Sequence, residues 1–557
     1  MSENTCTLQR MQGVLRSFRM KPCSEAFSEI FAVKRYLKKF QEPDRNQAGL
    51  LKQKCWDDWL QFDQSLARVK PADFINFPLL YKARQMLKDI RPVEYSTFAL
   101  PQGSEVVATR GQNSIESRLC RSVWTCTPDN FQRFARFVWE CKAMKRAFRQ
   151  RYTRWYRKSK FLESQHAMDK YIFRRFRERG SNDPAWDSFE YKLSMVTRFV
   201  PGSRFSRVRK NNETDRPINV EPLGNIVVQR QIGEHIRREL KRLFSIDLDT
   251  LAQRHREMIA EICATIDMKN ASDAITIALC RFLLPRHLFN ACMNARSEFV
   301  FGLDKAYHQT LKISSMGNGF TFELMTLILT AVSRCFDEKA SVFGDDIICR
   351  NEVAEPLIET LQHVGFTVNQ EKSFINSEFR ESCGANYHDR YGYIESYDFR
   401  WPETLHDCVV FYNKALRLSK KYQSFEKLRE ALRRHIPSVL QGVIENDFFE
   451  KEIKPTTTND DPVEFSNFFR CRPHRDHRCM AKGGLRRKLV KYASRYNYST
   501  SDVKIFEGLS YNEKLRTPTL KHLGRTHWAK YEMYLHSGRC AKDVLTGYGG
   551  WVSCKFL

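Results

Sequence analysis

The hydrophobic pattern is most regular in the centre of the chain, where it predicts a strand followed by a helix. Residues 261–266 (EICATI) form a short apolar run, which is typical of a buried strand and brings Asp267 to its end. A helical pattern follows over residues 271–284 and ends at Pro285, since proline cannot continue a helix. The candidate N-terminal caps of this helix are Asn270 and Ser272.

Further along, the pattern predicts a loop, a long apolar helix and a hairpin in succession. Residues 314–319 (SSMGNG) predict a flexible loop, and residues 321–336 are so continuously apolar that the helix they predict must be buried. Two short apolar strands, at 340–343 and 347–349, flank the tripeptide Gly-Asp-Asp at 344–346. This arrangement predicts a hairpin with two carboxylates at its tip.

A helix and a strand complete the central pattern. Residues 353–364 have apolar side chains at helical spacing, and Gly365 is placed where a glycine commonly ends a helix. The next nine residues, FTVNQEKSF, predict a strand that carries Lys372.

The flanking regions carry fewer signals. Turn-rich segments at 180–184 (GSNDP) and 454–462 (KPTTTNDDP) divide the chain into N-terminal, central and C-terminal regions. The N-terminal region has a mostly helical pattern, with a hairpin expected around residues 98–109 (FALPQGSEVVAT).

One segment of the N-terminal region is strongly basic. Residues 142–179 contain 14 Lys or Arg against three acidic residues, with aromatic residues interleaved. Cations beside aromatic rings suit a single-stranded nucleic acid, whose phosphates and bases they would contact. An amphipathic helix with a buried aromatic face and a solvated basic face explains the same pattern. Both interpretations stay open.

Composition narrows the classes of function. The chain has 557 residues, of which 42% are hydrophobic and 13% aromatic, so it can bury large cores and global disorder is excluded. Its 92 Lys and Arg exceed its 65 Asp and Glu by 27, which favours a polyanionic partner and first of all nucleic acid. Its apolar runs are too short for a membrane span, and we expect no secretory signal and no membrane.

The 17 cysteines are spread along the chain, and we expect reduced thiols in a cytosol. One cluster offers four soft ligands of the kind that zinc binds. Its spacing is cramped for paired-knuckle geometry and its surroundings are basic, so an RNA-facing loop is the preferred interpretation. The cluster consists of Cys471, His474, His477 and Cys479.

The central elements together indicate nucleotidyl transfer. A strand-borne Asp267, a glycine loop before a buried helix, and a hairpin with Asp345 and Asp346 could hold two divalent ions between hard oxygen ligands. Two adjacent carboxylates do not readily both ionise without a cation beside them.

These segments resemble motifs A to E of viral RNA-dependent RNA polymerases, and most closely those of the levivirus replicase catalytic subunit. The resemblance lies in ATIDMKNASDAITIALCRFLLP, KISSMGNGFTFELMTLIL, SVFGDDIICR, VGFTVNQEKSF and FRESCGANY. The upstream stretch VRKNNETDRPINVEPLGN resembles motif F of the same family. The resemblance covers roughly residues 200–390.

The resemblance implies roles for particular residues. Asp267, Asp345 and Asp346 correspond to metal ligands, and Asp273 corresponds to the residue that senses the ribose 2′-hydroxyl. Met325 stands where the general pattern has an asparagine.

Other matched residues would contact the nucleotide. Gly317, Asn318 and Gly319 match the motif B loop beside template and sugar. Lys210 and Arg216 match the basic residues that hold the triphosphate, although Arg209 stands where the family often has proline. Lys372 matches a candidate general acid for pyrophosphate, or it is an exposed strand lysine.

The implied fold is α+β, a right hand of fingers, palm and thumb with an antiparallel palm sheet and largely helical N- and C-terminal regions. The expected divisions are 1–195 (mostly fingers), 196–265 (fingers core), 266–400 (palm) and 401–557 (thumb and C-terminal region).

The implied function is template-directed replication of a single-stranded RNA phage genome from ribonucleoside triphosphates. The implied cofactor is Mg²⁺, as two ions that Mn²⁺ can replace. The implied partners are template and product RNA, host elongation factors Tu and Ts and ribosomal protein bS1, in the cytoplasm of a bacterial host. A reverse transcriptase and a non-enzymatic basic RNA-binding protein are the alternatives.

Overall fold

A computed structural model describes residues 3–40, 47–75, 77–95, 105–106, 123–159, 184–210, 214–402, 405–435, 509–512 and 517–520. The chain is a mixture of helices and sheets and divides into two compact units. One unit combines Met1–Arg45 with Ile394–Leu557, and the other is Asn46–Tyr393.

The described α-helices are α1 (Glu3–Ser17), α2 (Phe27–Lys39), α3 (Gln47–Ser65), α4 (Ala72–Ile75), α5 (Pro78–Leu87), α6 (Phe131–Glu140), α7 (Lys142–Ser159), α8 (Pro184–Ser194), α9 (Leu223–Phe244), α10 (Leu251–Met258), α11 (Ile277–Leu283), α12 (Arg286–Ala295), α13 (Thr321–Ser333), α14 (Asn351–His363), α15 (Leu405–Ser419) and α16 (Gln423–Arg433). Short 3₁₀ helices lie at Leu66–Arg68 and Ala271–Asp273.

The described strands are β1 (Trp124–Cys126), β2 (Thr197–Phe199), β3 (Gly202–Arg209), β4 (Asp215–Val220), β5 (Ala264–Lys269), β6 (Phe299–Phe301), β7 (Tyr307–Gln309), β8 (Ser341–Phe343), β9 (Asp346–Cys349), β10 (Thr367–Val368), β11 (Phe379–Ser382), β12 (Ala385–His388), β13 (Gly392–Tyr393), β14 (Leu509–Asn512) and β15 (Thr517–Leu520).

A four-stranded antiparallel sheet lies in the larger unit, in the order β10-β5-β9-β8. Ile266 of β5 and Ile347 of β9 are register partners, and both side chains are fully buried in the main hydrophobic core. Burying an aliphatic side chain of this size contributes about 2 kcal/mol, so the register of these strands is strongly specified.

A second sheet of the same unit has the order β4-β3-β6-β7. Strands β3 and β4 form a long antiparallel hairpin, whereas β3 and β6 run parallel. Two smaller sheets in the described part of this unit are the parallel pair β1-β2 and the antiparallel order β11-β12-β13.

Helix α13 is buried along almost its whole circumference, as the apolar pattern predicts, and it ends at Ser333 instead of residue 336. Its one charged residue, Glu323, is 2% exposed and accepts hydrogen bonds from Arg230 (3.2 Å) and Arg237 (2.9 Å) of α9. A carboxylate is tolerated in the core here because two guanidinium groups neutralise and hydrogen-bond it.

The predicted helix over residues 271–284 is wrong in its first half. Residues 271–273 form a 3₁₀ turn, and α11 begins only at Ile277. The cap is Thr276, whose hydroxyl accepts from the Leu279 N–H at 3.1 Å, and not Asn270 or Ser272. The backbone of Thr276 is drawn out of the helix because it forms a β-bridge with Lys312.

The predicted strand over residues 366–374 is also shorter than expected. Only Thr367 and Val368 form a strand, and Lys372 lies in the turn that follows. The Lys372 N–H donates to the Asn369 carbonyl at 3.0 Å, which closes this turn before Phe374 returns to pair with Thr265.

The smaller unit has an aromatic core of its own. The rings of Tyr36 and Phe399 lie 5.0 Å apart and those of Phe399 and Phe411 lie 4.8 Å apart, both edge to face. Buried Glu29 accepts hydrogen bonds from the Ser424 N–H (2.9 Å) and hydroxyl (2.6 Å), which ties α2 to α16.

None of the described helices is long and apolar enough to cross a membrane. Several sequence predictions lie outside the described residues: most of the 98–109 hairpin, residues 160–179 of the basic segment, the 454–462 break, and the cluster Cys471, His474, His477 and Cys479. The right-hand subdivision stays a prediction.

Candidate active site

Two of the predicted metal ligands lie opposite each other in the central sheet. Asp267 on β5 is the register partner of Asp346, the first residue of β9. Both residues are half-buried. The antiparallel pairing therefore places two carboxylates side by side at one end of the sheet.

The third carboxylate lies in the turn between β8 and β9. Phe343 pairs with Asp346, which leaves Gly344 and Asp345 as a two-residue turn. Asp345 alone is at the exposed tip, so the prediction of two carboxylates at the tip is corrected by one residue. The hairpin itself is confirmed.

Gly344 permits this turn to pack against α13. Its φ is +64°, and a β-carbon there would lie 2.6 Å from Cε2 of Phe322. Its N–H donates to the Thr326 hydroxyl at 3.0 Å in a buried position. Only glycine meets both the conformational and the steric demand without distortion.

Each sheet carboxylate is oriented by one neutral donor. The Asn369 side-chain amide donates to Asp267 Oδ2 at 2.5 Å. The Cys383 backbone N–H donates to Asp346 Oδ2 at 2.9 Å. Cys383 has a φ of +50° in the turn between β11 and β12, which aims its N–H at the carboxylate. These bonds fix one oxygen of each carboxylate.

The carboxylates also perturb one another electrostatically. Burial, and next the charge of Asp345, raises the pKa of Asp346 to about 7. Burial raises the pKa of Asp267 too, while the nearby Lys372 ammonium and the Asn369 hydrogen bond oppose that increase. A bound cation would favour the ionised form of all three carboxylates.

Within the described residues, no group of three His, Cys, Asp or Glu side chains is gathered tightly enough to hold a metal ion. The donor chemistry of Asp267, Asp345 and Asp346 nevertheless suits magnesium, which prefers hard oxygen ligands. Burial, and after it the charge of Asp345, raises the pKa of both Asp267 and Asp346, and this is the observation that fits a cation between or beside them.

A buried histidine supports the Cys383 turn. His255 of α10 is fully buried, with Nδ1 2.8 Å from the Ser382 hydroxyl and Nε2 2.9 Å from the Ser341 hydroxyl. Ser341 belongs to β8 and Ser382 to β11. The imidazole therefore bridges the strand before the Gly-Asp-Asp turn and the strand before the Cys383 turn.

The loop over residues 314–319 is anchored and, except at Met316 and Gly317, buried. Gly317 has a φ of +106°, and a β-carbon there would lie 2.2 Å from the Asn219 carbonyl oxygen. Asn318 accepts from the Phe320 N–H through its side-chain oxygen at 3.0 Å, and the Gly319 N–H donates to Gln229 at 3.0 Å. The Gly319 bond holds the loop against α9, and a bond from the Asn219 N–H to the Met316 carbonyl at 2.8 Å holds it against β4.

Asp273 lies in the 3₁₀ turn after β5 and is 5% exposed. Its Oδ1 is 2.9 Å from the ammonium of Lys312, a residue that is itself fully buried. The short turn makes no helix N-terminus for this carboxylate, so its partner is the lysine and not a helix dipole.

The predicted triphosphate ligands lie on a different sheet from the carboxylates. Lys210 follows β3 and Arg216 is on β4, and both are exposed. The Lys210 N–H donates to the Thr214 carbonyl at 3.1 Å. Asp215, which lies between Lys210 and Arg216 in the sequence, forms an ion pair with Arg207. It therefore does not need either predicted triphosphate ligand as its ion-pair partner.

Lys372 lies near the sheet carboxylates. Its ammonium is 3.6 Å from Glu381, and its charge lowers the pKa of Asp267 against the effect of burial. The structure thus brings Asp267, Asp345, Asp346 and Lys372 into one neighbourhood.

Comparison with known proteins adds the family. Residues 167–419 match the family described as RNA replicase, beta-chain. This segment is therefore similar to the beta chains of RNA replicases. The predicted resemblance to the levivirus replicase is confirmed for this region.

Named relatives align with the same part of the chain. The RNA-directed RNA polymerase subunit beta of Qbeta virus (strain MX1) is 39% identical over 203 residues, which are 34% of this chain and 34% of the relative. The corresponding beta chain of Escherichia phage MS2 is 36% identical over 210 residues, covering 36% of this chain and 38% of the relative. The matched stretch thus spans about a third of the length of these relatives.

Solved structures are less similar. The RNA-dependent RNA polymerase of bacteriophage phi12 has 11% identity and a TM-score of 0.38, covering 81% of this chain and 80% of that one. A human picobirnavirus RNA-dependent RNA polymerase has 12% identity and a TM-score of 0.31, covering 45% of this chain and 58% of that one.

All nine predicted site residues lie within the segment that matches this family. Sequence reasoning missed the residues that orient them: Asn369, Cys383, His255 and Lys312. Lys312 carried a usable signal, because a lysine within an otherwise apolar and hydroxyl-rich run requires a buried acidic partner. The others act through the backbone or through distant pairs and give no such signal.

Proposed function

We propose that this chain is the catalytic subunit of an RNA phage replicase, which copies single-stranded RNA from ribonucleoside triphosphates. The observation that carries the proposal is the pairing of Asp267 with Asp346 across β5 and β9, with Asp345 in the adjoining turn. This pairing lies inside the segment that matches the replicase beta-chain family.

Asp267, Asp345 and Asp346 are the residues that would hold divalent ions, proposed as two Mg²⁺ that Mn²⁺ can replace. Such ions activate the attacking 3′-oxygen and stabilise the charge on the transferring phosphate. Asn369 and Cys383 each occupy one oxygen of a sheet carboxylate, which would leave the other oxygen of each carboxylate to bind an ion.

The cationic residues are proposed to handle the phosphates. Lys210 and Arg216 lie exposed on the β3-β4 hairpin, where they can bind the triphosphate. Lys372 is proposed to protonate the leaving pyrophosphate. Its position near Asp267 supports that role, while its pairing with Glu381 fits a surface lysine without chemistry.

The sugar is proposed to meet Asp273 and the 317–319 loop. Asp273 supplies a carboxylate that can accept a hydrogen bond from a ribose 2′-hydroxyl, and Gly317 and Asn318 shape the loop beside it. A reverse transcriptase needs a bulky ring to exclude that hydroxyl, and an aspartate stands here instead.

The fold proposal is a right hand in which the β10-β5-β9-β8 sheet is the palm. Its antiparallel order and the carboxylates on it support this assignment. The fingers, palm and thumb boundaries proposed above belong to the same hypothesis.

Host factors are a further part of the proposal. Elongation factors Tu and Ts and ribosomal protein bS1 are the proposed partners, in the cytoplasm of the bacterial host. Affinity purification of a tagged chain from infected cells tests this, because co-purified proteins can be identified by mass spectrometry. Full activity of a purified chain alone would remove the need for such partners.

The test of function is nucleotide incorporation. The chain is incubated with single-stranded RNA and Mg²⁺, and with either ribo- or deoxyribonucleoside triphosphates, in the presence and absence of host extract. Template-dependent incorporation of ribonucleotides alone supports a replicase. Incorporation of deoxyribonucleotides would support a reverse transcriptase, and RNA binding without incorporation in either condition would support a non-enzymatic binder.

A further inference from the structure

A buried lysine connects the two elements proposed to sense the sugar. The Lys312 ammonium lies 2.9 Å from Asp273 Oδ1 and 3.4 Å from Asp63 Oδ1. It also lies 4.0 Å from the centroid of the Trp59 ring. All four side chains are buried. Two acids and an aromatic face thus surround one cation inside the unit.

These residues come from distant parts of the sequence. Asp63 and Trp59 belong to α3, and the Asp63 Oδ2 also accepts from the Leu311 N–H at 3.3 Å. The Arg296 guanidinium donates to the Lys312 carbonyl at 2.7 Å. The lysine backbone is therefore held in place, and α3 supplies a second acid to a site otherwise built from central elements.

The charges in this cluster do not balance. One ammonium faces two carboxylates, and burial raises the pKa of Asp63 while Lys312 opposes the increase. A buried carboxylate that lost its cation would be strongly disfavoured. The position of Asp273 therefore depends on Lys312, which Asp63 contacts from the other side.

Lys312 also faces the loop that carries Asn318. Both residues line a small polar pocket together with Ser203, Asn219 and Ser314. Among the described residues, Ser203 Oγ, Asn219 Oδ1 and Ser314 Oγ are buried without a hydrogen-bond partner. The ammonium thus adjoins Asp273 and shares a hydroxyl-lined pocket with Asn318.

We propose that Lys312 and Asp63 are positioning residues for sugar selection: Lys312 holds Asp273 in place to accept the ribose 2′-hydroxyl, and Asp63 anchors Lys312 in the position from which it does so. This inference rests on the proposed function, and it concerns residues to which the family resemblance gave no role. An alternative in which the cluster only fastens α3 to the unit predicts loss of stability without a change in selectivity.

The test compares the ratio of kcat/KM for a ribonucleotide to that for its 2′-deoxy analogue during RNA-templated extension by the full chain with Mg²⁺. The main variant is Asp63→Asn with Lys312→Gln, because it removes the cation that holds Asp273 without leaving Asp63 as a second unpaired buried carboxylate. Asp63→Asn alone, which conserves shape, is the second variant. Exposed Asp58 of the same helix, changed to Asn, is the matched control.

We expect the double variant to narrow the ratio about tenfold, because the ribonucleotide loses a hydrogen bond that the deoxynucleotide never makes. Asp63→Asn should reduce the ribo-to-deoxy ratio less than the double variant does. Lys312→Arg should retain most of the wild-type ratio, and Asp58→Asn should leave the ratio unchanged. Thermal melting checks that each variant is folded under the assay conditions.

An unchanged ratio in the folded double variant and in Asp63→Asn would overturn the inference while the proposed replicase activity stands. A wild-type chain that makes no RNA even with host extract would overturn the proposed function and this inference together. The two failures are therefore distinguishable.

Discussion

Asp267 and Asp346 are register partners on neighbouring antiparallel strands, and the β5-β9 pairing alone places their carboxylates side by side. A slip of one residue in either strand would turn one of them to the opposite face of the sheet. The buried aliphatic residues Ile266 and Ile347 oppose such a slip, because it would also remove them from the core. The hydrophobic core therefore determines the geometry of the site.

Gly344→Ala should be destabilising for two separable reasons. The position has a φ of +64°, which disfavours alanine by about 1 kcal/mol. The added methyl would also lie 2.6 Å from the Phe322 ring, so the total loss should reach about 2–4 kcal/mol. Denaturant unfolding of this variant and of wild type measures the loss of stability.

Gly392→Ala is the matched control for that experiment. Its φ of +65° is nearly the same, but a β-carbon there has no atom within 4 Å. It should lose only the conformational part, about 1 kcal/mol. Equal losses for the two variants would show that the Phe322 contact does not matter.

His255 should make the fold less stable in mild acid. Burial lowers the pKa of its imidazole from 6.5 to about 4, with a smaller contribution from Arg254. The native state therefore resists a proton that the unfolded state accepts. Stability contributed by the neutral ring is complete above pH 6.5 and is lost as pH falls toward 4, by about 2 kcal/mol at pH 5.

The measurement is the free energy of unfolding at pH 7.5 and pH 5 for wild type and for His255→Gln. The variant lacks the titrating imidazole. Between pH 7.5 and pH 5 its free energy of unfolding should therefore fall by about 2 kcal/mol less than that of wild type. Exposed His287, changed to Gln, should behave as wild type. A His255→Gln variant with the same pH dependence as wild type would contradict the assignment.

RNA binding should depend on the exposed arginines of α7. Arg146 and Arg149 are exposed, whereas Arg151 is buried with its guanidinium 3.8 Å from the centroid of Trp124. Reversing Arg146 and Arg149 to Glu should therefore reduce affinity without disturbing that packing. If each contacts one phosphate, the log–log salt slope should decrease in magnitude by about 1.4 on single-stranded RNA.

Fluorescence titration with labelled single-stranded RNA at several salt concentrations gives that slope. The pair Glu257→Gln and Glu261→Gln, two exposed acids of the same unit changed to neutral residues, is a control that should not flatten it. An unchanged slope in the Arg146/Arg149 variant would assign this helix face to solvent or to a protein interface. The structure already confirms that the segment is helical over 142–159 with a partly buried aromatic face.

Local patterns were sufficient for the elements that depend on nearby residues. The Gly-Asp-Asp hairpin was predictable because two apolar strands flank a turn that requires a positive φ at Gly344. Helix α13 was predictable because an apolar run of that length has no polar face that could be exposed to solvent, so the helix must be buried.

The errors arose where distant backbone pairing overrides the local pattern. Residues 271–276 have helical propensity, but the bridge from Thr276 to Lys312 holds them out of α11. The strand containing Lys372 is cut short because Phe374 bridges Thr265, so the residues between Val368 and Phe374 must turn. Neither partner can be inferred from sequence spacing.

The orienting residues of the site were missed for a similar reason. Cys383 contributes a backbone N–H, which has no signature in the residue type. Asp63 lies 248 residues before the Leu311 N–H that it accepts from, and its own surroundings suggest an ordinary acidic residue on α3. The resemblance named residues that contact substrate, whereas these act through other protein groups.

The central claim is that Asp267, Asp345 and Asp346 form the nucleotidyl-transfer centre, and the most direct test is RNA-templated ribonucleotide incorporation by Asp345→Asn. Asp345 is exposed in its turn, so the change should leave folding and RNA affinity intact. Loss of one metal ligand should slow incorporation about a thousandfold or more, while Asp58→Asn remains at the wild-type rate. Incorporation by Asp345→Asn at near the wild-type rate with Mg²⁺ would contradict the account.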